Sequence, residues 1–337
     1  MDPLTAVLAG PRARDAFLLQ ALMSPPWSLR VEDEAPLTVV VVQRGSAWFT
    51  RAGTSLELHP GDALLIRGPE PYLVTDKAGT PPTAVIRPGQ RCSGPGGEDL
   101  TDRLDSELRT WGNDVDGPDA LLIGTYLTAS EVGRALLTSL PMHYLLRNHR
   151  QLEPIIGLIL DELAQSAPAR TTALDRLLDL LLVRIVRQAQ ADLPAHANWL
   201  SAQNDPVIHR ALTAIHRRPA EAWTVEKLAR VGGTSRANFA RRFSEQVGQS
   251  PMAYLSQHRL SLAADLLLGD GRLTTAAVAA RTGYATPYSF SHAFKAHHGV
   301  SPQIYRRGAG TVGQEAAGTS SVEGARATEG VTAVEGG

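Results

Sequence analysis

The 337-residue sequence contains a single cysteine, Cys92, which excludes any disulfide within the chain. Such poverty fits a reducing compartment. No apolar run approaches the roughly 20 residues that a membrane span needs. The first residues lack the basic stretch followed by an apolar core that marks a secretory leader. These absences lead to the expectation of a cytoplasmic protein with no membrane contact. Neither sign of charge dominates, with 33 Lys and Arg against 34 Asp and Glu. There is no paired nucleophile and base and no glycine-rich phosphate loop. A metal needs three or four convergent ligands, and His59 stands alone at a turn. The expectation is therefore no catalytic residue, no metal and no cofactor.

What is present is a 43% hydrophobic composition, that of a soluble globular protein long enough for two domains. The neutral total hides an asymmetry. Residues Asn204 to Arg307 carry 14 Lys and Arg against 6 Asp and Glu, a balance of +8. The rest carries 19 against 28, a balance of −9. A basic segment joined to an acidic one suggests that the basic part meets a polyanion.

From Leu37 to Thr75 the pattern is β. "LTVVVV" predicts a buried strand and "GSAWFT" a second, "SLELHPGDALLI" two strands about a tight turn, and "PYLVTD" another. Short strands with Gly and Pro punctuation predict a small sandwich or barrel. Residues 92 to 119 read as a long loop that would expose Cys92, either as an inert thiol or as a redox group, and "ALLIGTYL" returns to β. The period then becomes helical over Leu152–Gln165 and Ala173–Gln190, with Thr172 as a candidate N-cap. Leu174, Leu178, Leu181 and Ile185 form one apolar stripe, which either packs on its own barrel or makes a dimer seam. A linker is expected over 191–204, and a disordered tail over 308–337.

One pattern occurs twice. "SRANFARRFSEQVGQSPMAYL" from Ser235 and "TPYSFSHAFKAHHGVSPQIYR" from Thr286 match in step. Phe239 pairs with Phe290, Phe243 with Phe294, Gly248 with Gly299 and Tyr254 with Tyr305. Each stretch follows a short apolar helix and a Gly-containing turn, so each predicts a helix-turn-helix. Ser235 and Thr286 would cap the second helices. Within each second helix the two Phe residues lie four apart and share the buried side. At 3.6 residues per turn, a residue two positions from a Phe faces roughly the opposite way. That turns Ala237 and Arg241 outward in the first copy, and Tyr288 and His292 in the second, with Asn238 and Ser291 flanking. Arg suits guanine, Asn suits adenine, and small apolar side chains suit the thymine methyl. Arg236, Arg242, Ser289 and Lys295 complete the expected DNA-binding set, with Arg242 and Lys295 at backbone phosphates.

Between the copies, Ser250-Pro251 opens a helix running to Gly269, about 25 Å long. It would hold the two reading helices in successive major grooves of double-stranded DNA. Because their outer residues differ, the expected site is asymmetric.

The pieces "WTVEKLA", "SRANFARRF", "GQSPMAYL", "RLSLAADLLL", "VAARTGY" and "SFSHAFKAHHGVSPQIYR", over about 205–307, resemble the C-terminal DNA-binding domain of AraC-family transcription regulators. Many members have Arg in "FSRAFK"; His292 here shifts the second unit toward backbone contacts. "PPWSLRV", "RGSAWF", "LELHPGDALLIRG", "RTWGND" and "LLIGTY…LLTSLP", over about 2–141, resemble the cupin-type sensory domain of one branch of that family. Related sensory domains often have a His after "RG"; here the segment runs Gly68-Pro69-Glu70-Pro71-Tyr72. Trp27, Trp48, Tyr72 and Trp111 would either line an effector pocket or form simple core.

The expected architecture is therefore a multidomain α+β chain. A cupin-like β-barrel over 1–145 precedes a dimerising helical segment over 146–190 and the linker. An all-α domain over 205–307, with two helix-turn-helix units joined by a linker helix, precedes the tail. The resemblance implies a sequence-specific transcription regulator controlled by a small molecule or stress signal. Its expected partners are DNA, an unknown effector, a second copy of itself and, if it activates, RNA polymerase. The competing readings are a cupin-type enzyme with an accessory nucleic-acid-binding domain and an architectural protein without sequence preference.

Overall fold

A computed structural model describes residues 16–100, 105–106, 109–126, 137–148, 150–165, 168–192, 202–269 and 273–307. The expected tail and most of the expected linker lie outside these residues.

The N-terminal half is β-rich. Its strands are β1 (Ala16–Met23), β2 (Ser28–Val31), β3 (Leu37–Arg44), β4 (Ala47–Arg51), β5 (Thr54–Leu58), β6 (Ala63–Arg67) and β7 (Tyr72–Thr75). They continue as β8 (Ala84–Arg87), β9 (Arg91–Ser93), β10 (Asp105–Ser106), β11 (Thr110–Trp111), β12 (Asp119–Tyr126) and β13 (His143–Leu146). One sheet runs β10-β11-β1-β12-β3-β6-β13 and the other β5-β4-β7-β2-β8-β9. Their inner faces share one core that includes Leu19, Val40, Val42, Phe49, Val74 and Leu121. Three short strands, β9 to β11, occupy the stretch that the sequence pattern reads as a long loop. Cys92 lies on β9 and is buried, at 3% exposure. That corrects the expectation of an exposed thiol: apolar Ile86 is its register partner across β8, and the pair closes the core.

A buried carboxylate ties one end of this half together. Asp119 accepts the Trp27 indole N–H at 2.7 Å and the Ser46 amide at 3.3 Å. The β3–β4 turn lies against it so closely that a Cβ at Gly45, where φ is +72°, would fall 1.9 Å from its Oδ1.

Two helices follow, α1 (Glu153–Ala164) and α2 (Arg170–Asp192). Because α2 starts at Arg170, Thr172 lies inside it and does not cap it. Leu174, Leu178, Leu181 and Ile185 are each at most 1% exposed within the single chain. Leu178 is pressed onto β12, where a Cβ at Gly124 would sit 2.4 Å from its Cδ1. The Tyr126 hydroxyl donates to the Leu178 carbonyl at 3.2 Å. The stripe is therefore core between α2 and its own sheet, which corrects its expectation as a dimer seam. This arrangement explains why "LTVVVV" shows no alternation. Val40 and Val42 face the inner core, while Val39, the register partner of Gly124, faces the helix side.

The remaining helices are α3 (Pro206–Arg217), α4 (Val225–Gly232), α5 (Arg236–Val247), α6 (Pro251–Gly269), α7 (Thr275–Arg281) and α8 (Pro287–His298). The chain divides into two compact units, Met1–Arg217 with Val225–Pro251, and Arg218–Thr224 with Met252–Gly337. The division falls at the start of α6, between the two copies of the repeat. No helix among the described residues is long and apolar enough to cross a membrane.

Leu178→Ala removes a side chain 1% exposed and is expected to cost about 2–5 kcal/mol of folding stability. Denaturant unfolding at two protein concentrations measures it. A core role predicts the same loss at both, whereas a seam predicts a loss that grows with concentration, because association then stabilises the parent more than the variant.

Candidate nucleic-acid interface and barrel cavity

Each copy of the repeat is built by the same local chemistry. In the first, Asp205 opens α3 by accepting the Val207 amide at 2.8 Å. Ser235 caps α5 by accepting the Asn238 amide at 3.4 Å. Phe239 and Phe243 are fully buried with ring centroids 5.5 Å apart. Gly248, at φ +81°, ends the helix and donates to the Ser244 carbonyl. In the second, Thr274 caps α7 through the Ala277 amide at 3.1 Å. Thr286 and Ser289 form a reciprocal capping box at the start of α8. Phe290 and Phe294 are fully buried, again 5.5 Å apart, and Gly299, at φ +78°, ends the helix. The tilt between rings is also alike, 56° and 62°.

With the Phe side fixed, the opposite side is open. Ala237 and Arg241 are exposed on α5. Tyr288, His292 and Lys295 are exposed on α8, Tyr288 at 82%. Asn238 and Ser291 are half-buried beside them. Arg241 is already held: its Nη1 meets both Glu245 carboxylate oxygens at 2.9 Å, and its Nη2 donates to Asn238 Oδ1 at 3.1 Å. The Asn238 amide donates in turn to Thr234 Oγ1 at 2.8 Å. Arg236 pairs with Glu226 at 2.8 Å, both exposed.

Arg242 departs from the expectation of a phosphate contact. Its Nε donates at 2.5 Å to Asp205, whose side chain is only 7% exposed. Gln246 donates to the same oxygen at 2.7 Å. Arg242 is thus a strut joining α5 to the start of α3. Burial pushes the Asp205 carboxyl up, but hydrogen bonds from Gln246, the Val207 amide and Arg242 outweigh burial and hold it below the ordinary value. Ser235, Thr286 and Ser289 use their hydroxyls as caps. Glu245, four residues after Arg241, was recoverable from helical spacing. Asp205, 37 residues from Arg242, had no local signal.

A cavity of about 490 Å³ lies between the sheets of the barrel, within the usual range for small-molecule sites. Tyr72 and Trp111 line it. Trp27 does not, because it is fully buried and bonded to Asp119. Trp48 does not either: on β4 it alternates with buried Ala47 and Phe49 and points away from the core. Cys92 also faces the cavity, its thiol pushed up to about 11 by burial and then by Asp99. The sequence reading missed the cavity's polar members, Asp33, Gln90, Arg109 and Arg170. His59 is an exposed turn residue 3.9 Å from Glu57. Among the described residues no His, Cys, Asp and Glu cluster could hold a metal.

Comparison with known proteins gives two family matches, a cupin model over residues 2–191 and a helix-turn-helix domain model over residues 228–308. A putative AraC-like transcription regulator of Streptomyces lividans is 29% identical over 91% of this chain and 98% of its own length. The HTH-type transcriptional regulator AlkR of Acinetobacter baylyi is 30% identical over 91% of this chain and 99% of its own. Both carry the names of transcription regulators. The DNA-binding domain of AdpA, solved with a target DNA, is 30% identical over 31% of this chain and 92% of its own, with a TM-score of 0.29.

Arg242→Ala leaves the buried Asp205 carboxylate short of a donor and is expected to cost about 1–3 kcal/mol of stability. Because the Asp205 pKa is depressed on folding, its stabilisation is present above the unfolded value and lost as pH falls through the folded one. The variant should therefore show a shallower acid loss of stability than the parent in unfolding titrations below about pH 4.

Proposed function

The chain belongs to the AraC-type family of helix-turn-helix transcription regulators with an N-terminal cupin domain, and we propose that it reads an asymmetric operator with the outward faces of α5 and α8. It is a DNA-binding transcription regulator. The observation that carries the finer reading is the doubled helix. The same caps and Phe pairs orient both copies, while the exposed residues differ between them. Arg241, Asn238 and Ala237 read bases in one major groove, with Arg241 supplying a bidentate contact to guanine. Tyr288, His292 and Ser291 face the next groove, where His292 contributes more to positioning than to discrimination. Arg236 and Lys295 meet phosphates, and the capped starts of α5 and α8 offer backbone amides to phosphate oxygens. The 19-residue α6 joins the two readers.

The proposal extends to control. A small effector bound in the barrel cavity shifts a balance between two arrangements of the DNA-binding region. Residues 205–307 act as that region and 191–204 as its tether. Two copies act together, through the outer face of α1 and α2, where Leu158 and Leu180 are 55% and 43% exposed. Where the regulator activates, RNA polymerase is the further partner.

On sites selected from random duplexes, Arg241→Ala is expected to lose about 1–3 kcal/mol at one preferred base and to relax the preference there. Lys295→Ala should weaken all sequences alike and reduce the salt slope by about one. A uniform loss for Arg241→Ala would place that residue on the backbone instead. Leu158→Glu combined with Leu180→Glu should reduce the mass in light scattering from two chains to one; an unchanged mass would remove this face from the dimer.

A further inference from the structure

The geometry points to a monoanionic carboxylate with an apolar body as the ligand of the barrel cavity; its role as a signal rests on the sensory reading above, but its chemical class does not. The cavity of about 490 Å³ is walled mainly by apolar side chains such as Phe17, Val40, Trp111 and Ile123. Ionic groups reach it from Asp33, Arg109 and Arg170, a balance of +1. Two of these are already engaged. Asp33 accepts the Ala35 amide at 3.1 Å and the Gln90 side-chain amide at 3.3 Å. Arg170 donates through Nη1 to the Gln165 carbonyl at 3.2 Å.

Arg109 differs. Its Nη1 is closed off from solvent and has no hydrogen-bond partner. A guanidinium stays charged at any accessible pH, and leaving its donors buried and unmet is costly. The backbone at Arg109 is in the left-handed region, at φ +62°, and its carbonyl accepts the Gln20 amide of β1 at 3.0 Å. A non-glycine residue held in that conformation beside a cavity marks a constrained site. The planar fork of Arg matches the two oxygens of a carboxylate. A single excess positive charge fits one negative charge, and Asp33 on the same wall disfavours a second. The apolar remainder of the wall suits an aliphatic or aromatic body. An alcohol oxygen could accept from only one point of the fork and would leave its charge unneutralised, and an ammonium offers no acceptor at all.

The same wall meets α2. Ile123 and Thr125 face the cavity from β12, while Gly124 between them carries Leu178 on its other side. Arg170, at the cavity, is the first residue of that helix. A ligand anchored on Arg109 therefore bears on the strand and the helix end from which the chain leaves the barrel.

The test titrates full-length protein with octanoate and 4-phenylbutyrate, and with 1-octanol, octylamine and octyl phosphate as controls, by calorimetry. The expected result is that at least one acid binds tenfold or more tightly than the alcohol and the amine, and more tightly than the phosphate. Arg109→Gln should reduce the acid to the level of the alcohol while leaving the alcohol unchanged, which also reports that the variant is folded. Arg109→Lys, which keeps the charge without the fork, should lie between. The two acids' relative affinities distinguish aliphatic from aromatic bodies. The inference is overturned if the wild type binds the alcohol, amine or phosphate as tightly as both acids. It is overturned also if no probe binds at millimolar concentration, or if both Arg109 variants keep the full preference. Operator affinity is measured in parallel. An Arg109-dependent acid that leaves operator binding unchanged supports the ligand class and removes the sensory reading. An alcohol that changes operator binding without any preference for acid overturns the class and leaves the sensory reading intact.

Discussion

Burial of two phenylalanines four residues apart decides which side of α5 and of α8 faces outward. Each ring is worth about 1.5–3 kcal/mol when fully buried, so the pair fixes rotation about the helix axis more firmly than any surface contact could. Phe239 with Phe243 and Phe290 with Phe294 perform this task at equal centroid spacing, 5.5 Å. The side-chain caps at Ser235 and Thr286 set where each helix starts, and left-handed Gly248 and Gly299 set where it stops. Rotation and length being fixed, the outward residues are free to differ. The two copies agree inside and diverge outside, from Arg241 to His292 at matched positions. On the proposed reading, one polypeptide thereby carries two readers with different preferences.

The first copy carries additional support that the second lacks. Arg241 is pre-positioned by Glu245 and Asn238, and Arg242 locks α5 to the buried Asp205. The second copy instead surrounds Phe294 with His298 and Tyr305, the ring centroids 4.3 and 5.3 Å away. A positioned arginine in one copy and an exposed Tyr288 with His292 in the other is consistent with discrimination concentrated in the first. The barrel obeys a different constraint. Strands β3 and β12 are covered on both faces, by the cavity side within and by α2 outside. Gly124 lets the helix approach closely, so a single strand separates the cavity side from α2.

Much of this organisation could be read from residues alone. The doubled pattern, its caps and its buried Phe side needed only spacing, because helical periodicity and N-cap chemistry are local. Strands β3 to β7 and β12 were equally plain from apolar runs punctuated by Gly and Pro. Strand β1 was not: "AFLLQALM" shows no alternation, and only the Ser24-Pro25-Pro26 turn after it marks an end. The short β9 pairs with its neighbour β8 and β10 with β11, and only β11 reaches a distant strand, β1; their Gly- and Asp-rich surroundings look like loop. Non-local geometry also defeated the side-chain expectations. An apolar stripe on α2 looks the same whether a partner or its own sheet covers it, and only the close approach at Gly124 decides. Trp48 differs from Tyr72 and Trp111 by which face of its sheet it occupies, whereas Trp27 is fully buried in the same core and bonded to Asp119. Arg109 belongs to a stretch without periodicity, so nothing in its neighbours indicated that it meets the cavity.

The central claim is that two unlike helix-turn-helix copies read one asymmetric sequence. Purified full-length protein is mixed with sheared genomic DNA from its own source at near-physiological salt, and the retained fragments are sequenced. The account predicts a small set of fragments sharing an asymmetric motif that spans about two helical turns. Retention with no shared motif, or a motif confined to a single major groove, would contradict it.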